Sequence, residues 1–382
     1  MRRLWMGLVG FALAWPAWSQ WPAPPEIAAR SYVVMDVTAG QVLAEQKADA
    51  AVEPGSLTKL MVAYVVFDAL RAQRLTLQQA LPISERAWKM PGSRMFIDPT
   101  MKVPVDDLLK GMIVQSANDA TVALAEGLAG SVERFVELMN QQARVLGLSA
   151  TTFKNPEGLA EPGHVTTARD LATLAQSVLR HFPDRQAYFA LKKYRYAGTP
   201  AANDTNRNLL LFRDPSVDGL QTGYTPSSGY GLVASAQREV PGLKSRRLLS
   251  VVLGAAHEQA RAQESQKLLN WGFTAFDAVK LFDAQQTVIH APVWKGRLPQ
   301  VRLGRTDPLV VAVPSGQAAK LRSEVARPDP LVAPFVKGQA VARIKIYVGD
   351  RLLLELPLSA LEPVEETGVV GRAWDAVRLW IK

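Results

Sequence analysis

The sequence contains no cysteine. Disulfides, thiolate nucleophiles and cysteine-zinc sites are therefore excluded together. Histidine is nearly as scarce. His164, His181, His257 and His290 are scattered without metal-ligand spacing, so no metal and no organic cofactor is expected, and these residues read as surface side chains. No internal repeat is evident. Neither a zinc knuckle nor a basic helix interleaved with aromatics is present, so nucleic acid is not an expected partner. After the first twenty residues no uncharged apolar run approaches the roughly 20 residues that a membrane-spanning helix needs.

What is present is a chain of 382 residues, 48% of them hydrophobic, with a net charge of +9. That length is ample for one sizeable core and suggests two domains. The N-terminus has a basic start (Arg2, Arg3), an apolar stretch from Leu4 to Trp15, and small residues at Ala17 and Ser19. This pattern predicts a secretory signal peptide over 1–19 and hence export. Loss of Arg2 and Arg3 with it would leave a charge of +7. A basic surface suits anionic partners such as lipid headgroups or wall polymers.

Strand periodicity predicts a hairpin from Ser31–Asp36 to Gln41–Glu45. A nearly all-apolar, buried helix should open at Ser56 and run to about Arg74. Further helices fit Val105–Met112, Ala117–Ala129, Ser131–Leu146, Thr167–His181 and Glu258–Trp271. Strands at Tyr230–Ala236 and Arg247–Leu253 flank a polar loop. Together these predict a mixed α/β domain with an antiparallel sheet over 28–283. From about Gln285 the pattern is short strands only, which predicts a small all-β domain over 285–363. The last segment, 368–382, has helical period: Val370, Ala373, Trp374, Val377, Trp380 and Ile381 share a face, and Arg372, Asp375, Arg378 and Lys382 lie opposite. A basic amphipathic helix with two tryptophans suits the membrane interface, so peripheral attachment to a membrane surface is expected.

The chemistry-bearing residues begin with Ser56-Leu57-Thr58-Lys59. On a helix, three residues are nearly one turn, so the hydroxyl and the amine share a side. An apolar helix would desolvate the ammonium and lower its pKa, and a neutral lysine can take a proton from serine. A helix N-terminus also favours developing negative charge. Such a tetrapeptide arises about once by chance in a chain this long, so alone it carries little. It is joined by Ser116-Ala117-Asn118 and by Gln221-Thr222-Gly223 just before a strand.

Ser-x-x-Lys, Ser-x-Asn and a Thr-Gly strand motif in that order resemble the penicillin-binding protein and serine β-lactamase superfamily. Within it the chain is similar to the low-molecular-mass D-alanyl-D-alanine carboxypeptidases over nearly its whole length, including Tyr32–Glu45, Pro54–Lys59, Gln115–Ala120, Thr167–Leu171 and Val217–Ala236. The resemblance implies a transpeptidase-like catalytic domain that removes the terminal D-alanine from peptidoglycan stem pentapeptides, with β-lactams as inhibitors and a periplasmic, peripheral location. It implies Ser56 as nucleophile, Lys59 as general base, Ser116 as proton relay and Asn118 as a ligand of Lys59 and substrate. The backbone N–H groups of Ser56 and Tyr224 would form the oxyanion hole, and Thr222 would help hold the carboxylate. The strand after Gly223 would pair with the substrate.

Two positions depart from the family's pattern. The third motif begins with Gln221 where the family has lysine, and alignment places Ala256 where it has an arginine facing the carboxylate. Arg213 and Arg261 lie nearby in sequence. Two missing cations leave open a DD-endopeptidase or β-lactam-directed enzyme of the same chemistry, and a non-catalytic wall-binding protein.

Overall fold

A computed structural model describes residues 21–368. The expected signal peptide (1–19) and, apart from Gly368, the terminal amphipathic segment lie outside the described residues.

The chain opens with the hairpin β1 (Ser31–Asp36) and β2 (Gln41–Gln46), then enters a 3-10 turn, Gly55–Thr58, that leads into α1 (Lys59–Arg71). A helical region follows. The short ribbon β3 (Ala80–Pro82) and β4 (Lys102–Pro104) brackets α2 (Glu85–Trp88). Next come α3 (Val105–Val114), α4 (Asn118–Ala129), α5 (Val132–Val145) and α6 (Ala168–His181). Ser131 and Thr167 stop α5 and α6 at their N-termini by accepting the N–H of Arg134 and Asp170. After α7 (Gln186–Ala190) and α8 (Leu210–Arg213) the chain returns to the sheet as β5 (Val217–Thr225), β6 (Gly229–Val240) and β7 (Leu243–Ala255), closed by α9 (Glu258–Ala275).

The sheet order is β2-β1-β7-β6-β5, antiparallel throughout. Side chains alternate between its faces. Val33, Val233 and Val251 face the core built on α1, whereas Val34, Leu232 and Val252 face the core built on α9. Helix α1 is buried from Lys59 through Phe67, which explains why its sequence shows no polar face. Because β5 ends the sheet, one row of its backbone groups has no strand partner.

The second unit begins earlier than the 285 expected from the strand pattern. Helix α9 runs directly into β8 (Phe276–Phe282), with no turn residues to mark the change, and β8 pairs with β11 (Leu309–Pro314). The other strands, β9 (Thr287–Trp294), β10 (Gln300–Gly304), β12 (Leu321–Ala326), β13 (Leu331–Val332), β14 (Ala340–Val348) and β15 (Arg351–Ala360), form a sheet of order β12-β14-β15-β10-β9-β13. Three contacts tie this unit to the far side of the first sheet. The Gln41 amide exchanges two hydrogen bonds with the Ala312 backbone, buried Arg246 donates to Asp36 (2.7 Å) and to Phe276 O (2.6 Å), and Arg351 lies over the Trp21 ring. At the opposite end β5 has no further strand beside it, and its Asp218, Gly219 and Gly223 carbonyls accept from Gln186, Asn208 and Arg261.

Candidate active site

The turn carrying Ser56 is built by close backbone approaches. A Cβ at Gly158 would lie 2.0 Å from Gly55 O, and one at Gly223 would lie 2.7 Å from Pro54 O, so both positions admit glycine alone. The strand β5 and the loop around Gly158 therefore clasp the start of α1 from two sides. They leave a cavity of about 350 Å³ lined by Ser56, Ser116, Asn118, Glu157, Thr222 and Arg261 among others.

Lys59 is 1% exposed. Its Nζ donates to Ser56 Oγ (3.1 Å), Asn118 Oδ1 (2.8 Å) and Glu157 O (2.6 Å). Burial is the main cause that pushes its pKa down to about 7, with Arg207 assisting and Glu157 and Asp119 opposing. Three acceptors satisfy an ammonium. A neutral amine keeps two donors, for Asn118 and Glu157, and turns its lone pair to the Ser56 hydroxyl.

Asn118 donates its side-chain amide to Pro91 O (2.7 Å), which turns its Oδ1 toward Lys59, and its backbone N–H to Ser93 O (2.7 Å). Next to it, buried Asp119 accepts the backbone N–H groups of Met95, Phe96, Ile97 and Ala120 and so holds this loop against α4. Burial raises the Asp119 pKa in spite of these donors. Ser116 has a left-handed backbone (φ 54°), and its buried hydroxyl has no hydrogen-bond partner.

The other wall differs. Gln221, Thr222, Gly223 and Tyr224 lie within β5 rather than before a strand. Gln221 is buried but does not line the cavity; its Oε1 accepts the Thr222 N–H (3.0 Å). Tyr224, half exposed, stacks on Tyr230 with centroids 4.4 Å apart.

Ala256, expected to stand where the family has a carboxylate-facing arginine, brings no cation to the cavity. Ala256 is exposed beyond the end of β7 and lines no part of the cavity. Arg261, one turn into α9, lines it instead. Arg261 is 2% exposed, donates to Gly223 O (3.2 Å) and Arg207 O (3.4 Å), and lies over the Tyr230 ring. Burial holds its pKa down to about 10, with Glu258 opposing. Its ion pair with half-exposed Glu258 is loose (3.6 Å). Arg207, exposed at the rim, donates to Ser93 Oγ (2.8 Å). Arg213 points elsewhere and bonds Gln259.

One histidine also departs from expectation. His164 is 1% exposed, and its Nε2 bonds Thr58 Oγ1 (3.0 Å), beneath the turn that carries Ser56. Burial lowers its pKa to about 4, so it is neutral at pH 7. Among the described residues no cluster of histidine and acidic side chains is arranged to hold a metal ion, and no helix is long and apolar enough to cross a membrane.

Residues 19–257 match the family model described as D-alanyl-D-alanine carboxypeptidase, and residues 276–366 match the penicillin-binding protein 5 C-terminal domain. The chain is 40% identical to D-alanyl-D-alanine carboxypeptidase DacC of Escherichia coli over 363 residues, covering 93% of this chain and 89% of that protein. It is 36% identical to DacA of Haemophilus influenzae, covering 94% and 91%. The structure of penicillin binding protein 5 from Haemophilus influenzae superimposes with a TM-score of 0.84 at 34% identity, covering 90% of this chain and all of that one. Penicillin-Binding Protein D2 from Listeria monocytogenes in its ampicillin-bound form covers 66% of this chain and all of its own, with a TM-score of 0.58 at 29% identity. A chain that carries both domains in this order and shares this much sequence with such relatives belongs to the D-alanyl-D-alanine carboxypeptidase family.

Proposed function

We propose that this carboxypeptidase works through an acyl-enzyme on Ser56 and recognises the substrate carboxylate with Arg261 rather than with residue 221. The observation that carries the first half is the contact of Lys59 Nζ with Ser56 Oγ at 3.1 Å on a lysine that burial brings to about pH 7. Neutral Lys59 takes the Ser56 proton as Oγ attacks the penultimate D-alanine carbonyl. The Ser56 and Tyr224 N–H groups stabilise the oxyanion. The unpartnered Ser116 hydroxyl relays a proton to the leaving D-alanine nitrogen, and the scissile C–N bond breaks. Asn118 holds Lys59 and the substrate amide, and the outer edge of β5 pairs with the extended peptide beyond Gly223. Water then hydrolyses the ester and restores Ser56.

The second half rests on the arrangement of charge. A cavity that holds a buried, loosely paired guanidinium suits a terminal carboxylate, because bidentate charged bonds are strong where water is excluded. Thr222 lies on the same wall. This favours a free-terminus substrate over an internal cross-link and over a purely binding role. β-Lactams are expected to acylate the same serine, in keeping with the ampicillin-bound relative. Release of D-alanine from a soluble stem pentapeptide, lost in Ser56→Ala, tests the mechanism; release that survives in Ser56→Ala would refute it.

Export and peripheral membrane attachment are proposed from the terminal sequence patterns alone. Binding to anionic vesicles should be lost on deleting Val369–Lys382, and binding that persists would refute that anchor.

A further inference from the structure

Glu157 stands where the catalytic wall meets the cavity, yet none of the roles above uses its side chain. The loop that carries it is tightly built. Asn155 Oδ1 accepts the N–H groups of Gly158 (2.8 Å) and Leu159 (3.0 Å), and its Nδ2 donates to Leu159 O and Glu161 Oε2 (both 3.0 Å). Gly158 then abuts Gly55. This arrangement delivers Glu157 O to Lys59 Nζ at 2.6 Å. The side chain is 7% exposed, and its Oε2 is buried with no hydrogen-bond partner. A buried carboxyl oxygen with no partner is costly and calls for a physical reason.

We propose that Glu157 is a positioning residue for the general base: its buried carboxylate, on the residue whose backbone oxygen holds Lys59, sets the pH at which Lys59 gives up its proton and so sets the acid limb of Ser56 acylation. The inference rests on the reading of Ser56 and Lys59 given above. Its electrostatics are reciprocal. The Glu157 charge favours the Lys59 ammonium, and the Lys59 charge favours the Glu157 carboxylate against a burial that pushes its pKa up. The other charges acting on Lys59 are Arg207, which opposes its protonation, and Asp119, which supports it. Those acting on Glu157 are Arg86 on α2, which is engaged with Glu133, and Glu161 in its own loop. Two coupled groups lose their protons as a pair. Here the pair lets Lys59 stay basic enough to accept a proton without being neutral at every pH. Gln221 contributes no cation, so the balance falls more heavily on Glu157 and Arg207.

The test is the rate of acylation by a fluorescent penicillin from pH 5 to pH 9 in the full chain, for wild type, Glu157→Gln and Glu157→Ala. Circular dichroism establishes which variants are folded. Removing the carboxylate removes an anion that stabilises the ammonium. Lys59 then stays neutral to lower pH, and the acid limb should move down by about one pH unit. Glu157→Ala places no buried amide in the site and must shift the limb in the same direction if Glu157→Gln fails to fold. A limb that stays at its wild-type position in a folded variant, with the rate lowered uniformly or not at all, would mean that Glu157 is only structural and would overturn the inference. Absence of acylation in the wild type at every pH would instead overturn the reading of Ser56, and this inference with it.

Discussion

The two walls of the cleft solve different problems with different degrees of rigidity. On one side Ser56, Lys59, Asn118 and Ser116 are buried or half-buried, and Lys59 spends all three of its donors on fixed acceptors. On the other side lie the last strand of the sheet, β5, exposed Tyr224 stacked on half-buried Tyr230, and the buried cation Arg261. On the function proposed above, the first wall would hold a proton-transfer geometry in which misplacement by an ångström is expensive, and the second would admit and orient a peptide. The two departures from the family's pattern, Gln221 and Ala256, both fall outside the first wall.

The comparison is most easily broken at Ser56, the proposed nucleophile. Ser56→Ala should reduce D-alanine release by at least about 10⁴-fold, because removing a member of a unit that acts together removes most of its effect. Its melting temperature should hardly change. A large fall would mean that Ser56 is chiefly structural.

Next in size is the cation of the second wall. Arg261→Gln should lower kcat/KM for a pentapeptide with a free terminus by about 100-fold, the worth of one charge-assisted bond of roughly 2–3 kcal/mol. The same variant should leave the rate of penicillin acylation measured at saturation much less affected. Equal loss in both assays would mean that Arg261 supports the whole site rather than the carboxylate. Gln221→Lys should have the smallest effect, a gain of about tenfold or less in kcat/KM, because a charge-assisted bond there would add to one already supplied. A gain of several hundredfold would show that Arg261 does not supply it.

The same division decided what could be read from the sequence. Ser56 and Lys59 were legible because one helical turn joins them, and α5 and α6 were bounded by their capping residues. The burial of α1 followed from its lack of a polar face. Arg261 was legible only as a sequence neighbour, because its place on the cavity depends on how the N-terminal turn of α9 packs against β5. Glu157 gave no signal: its nearness to Lys59 depends on a loop 98 residues away in the chain, closed by glycine contacts that no periodicity reveals. His164 looked like a surface residue for the same reason, since its partner is Thr58. The start of β8 was hidden because a helix passes into a strand with no glycine or proline between them.

The claim that Arg261 supplies the cation position 221 lacks is tested most directly by a double-mutant cycle. D-alanine release from a stem pentapeptide would be measured for wild type, Gln221→Lys, Arg261→Gln and the double variant. Strong coupling is expected: Gln221→Lys should raise kcat/KM by about tenfold or less in the wild type but by about 100-fold when Arg261 is absent. Equal gains in both backgrounds would contradict it, and would mean that the two positions act on different parts of the reaction.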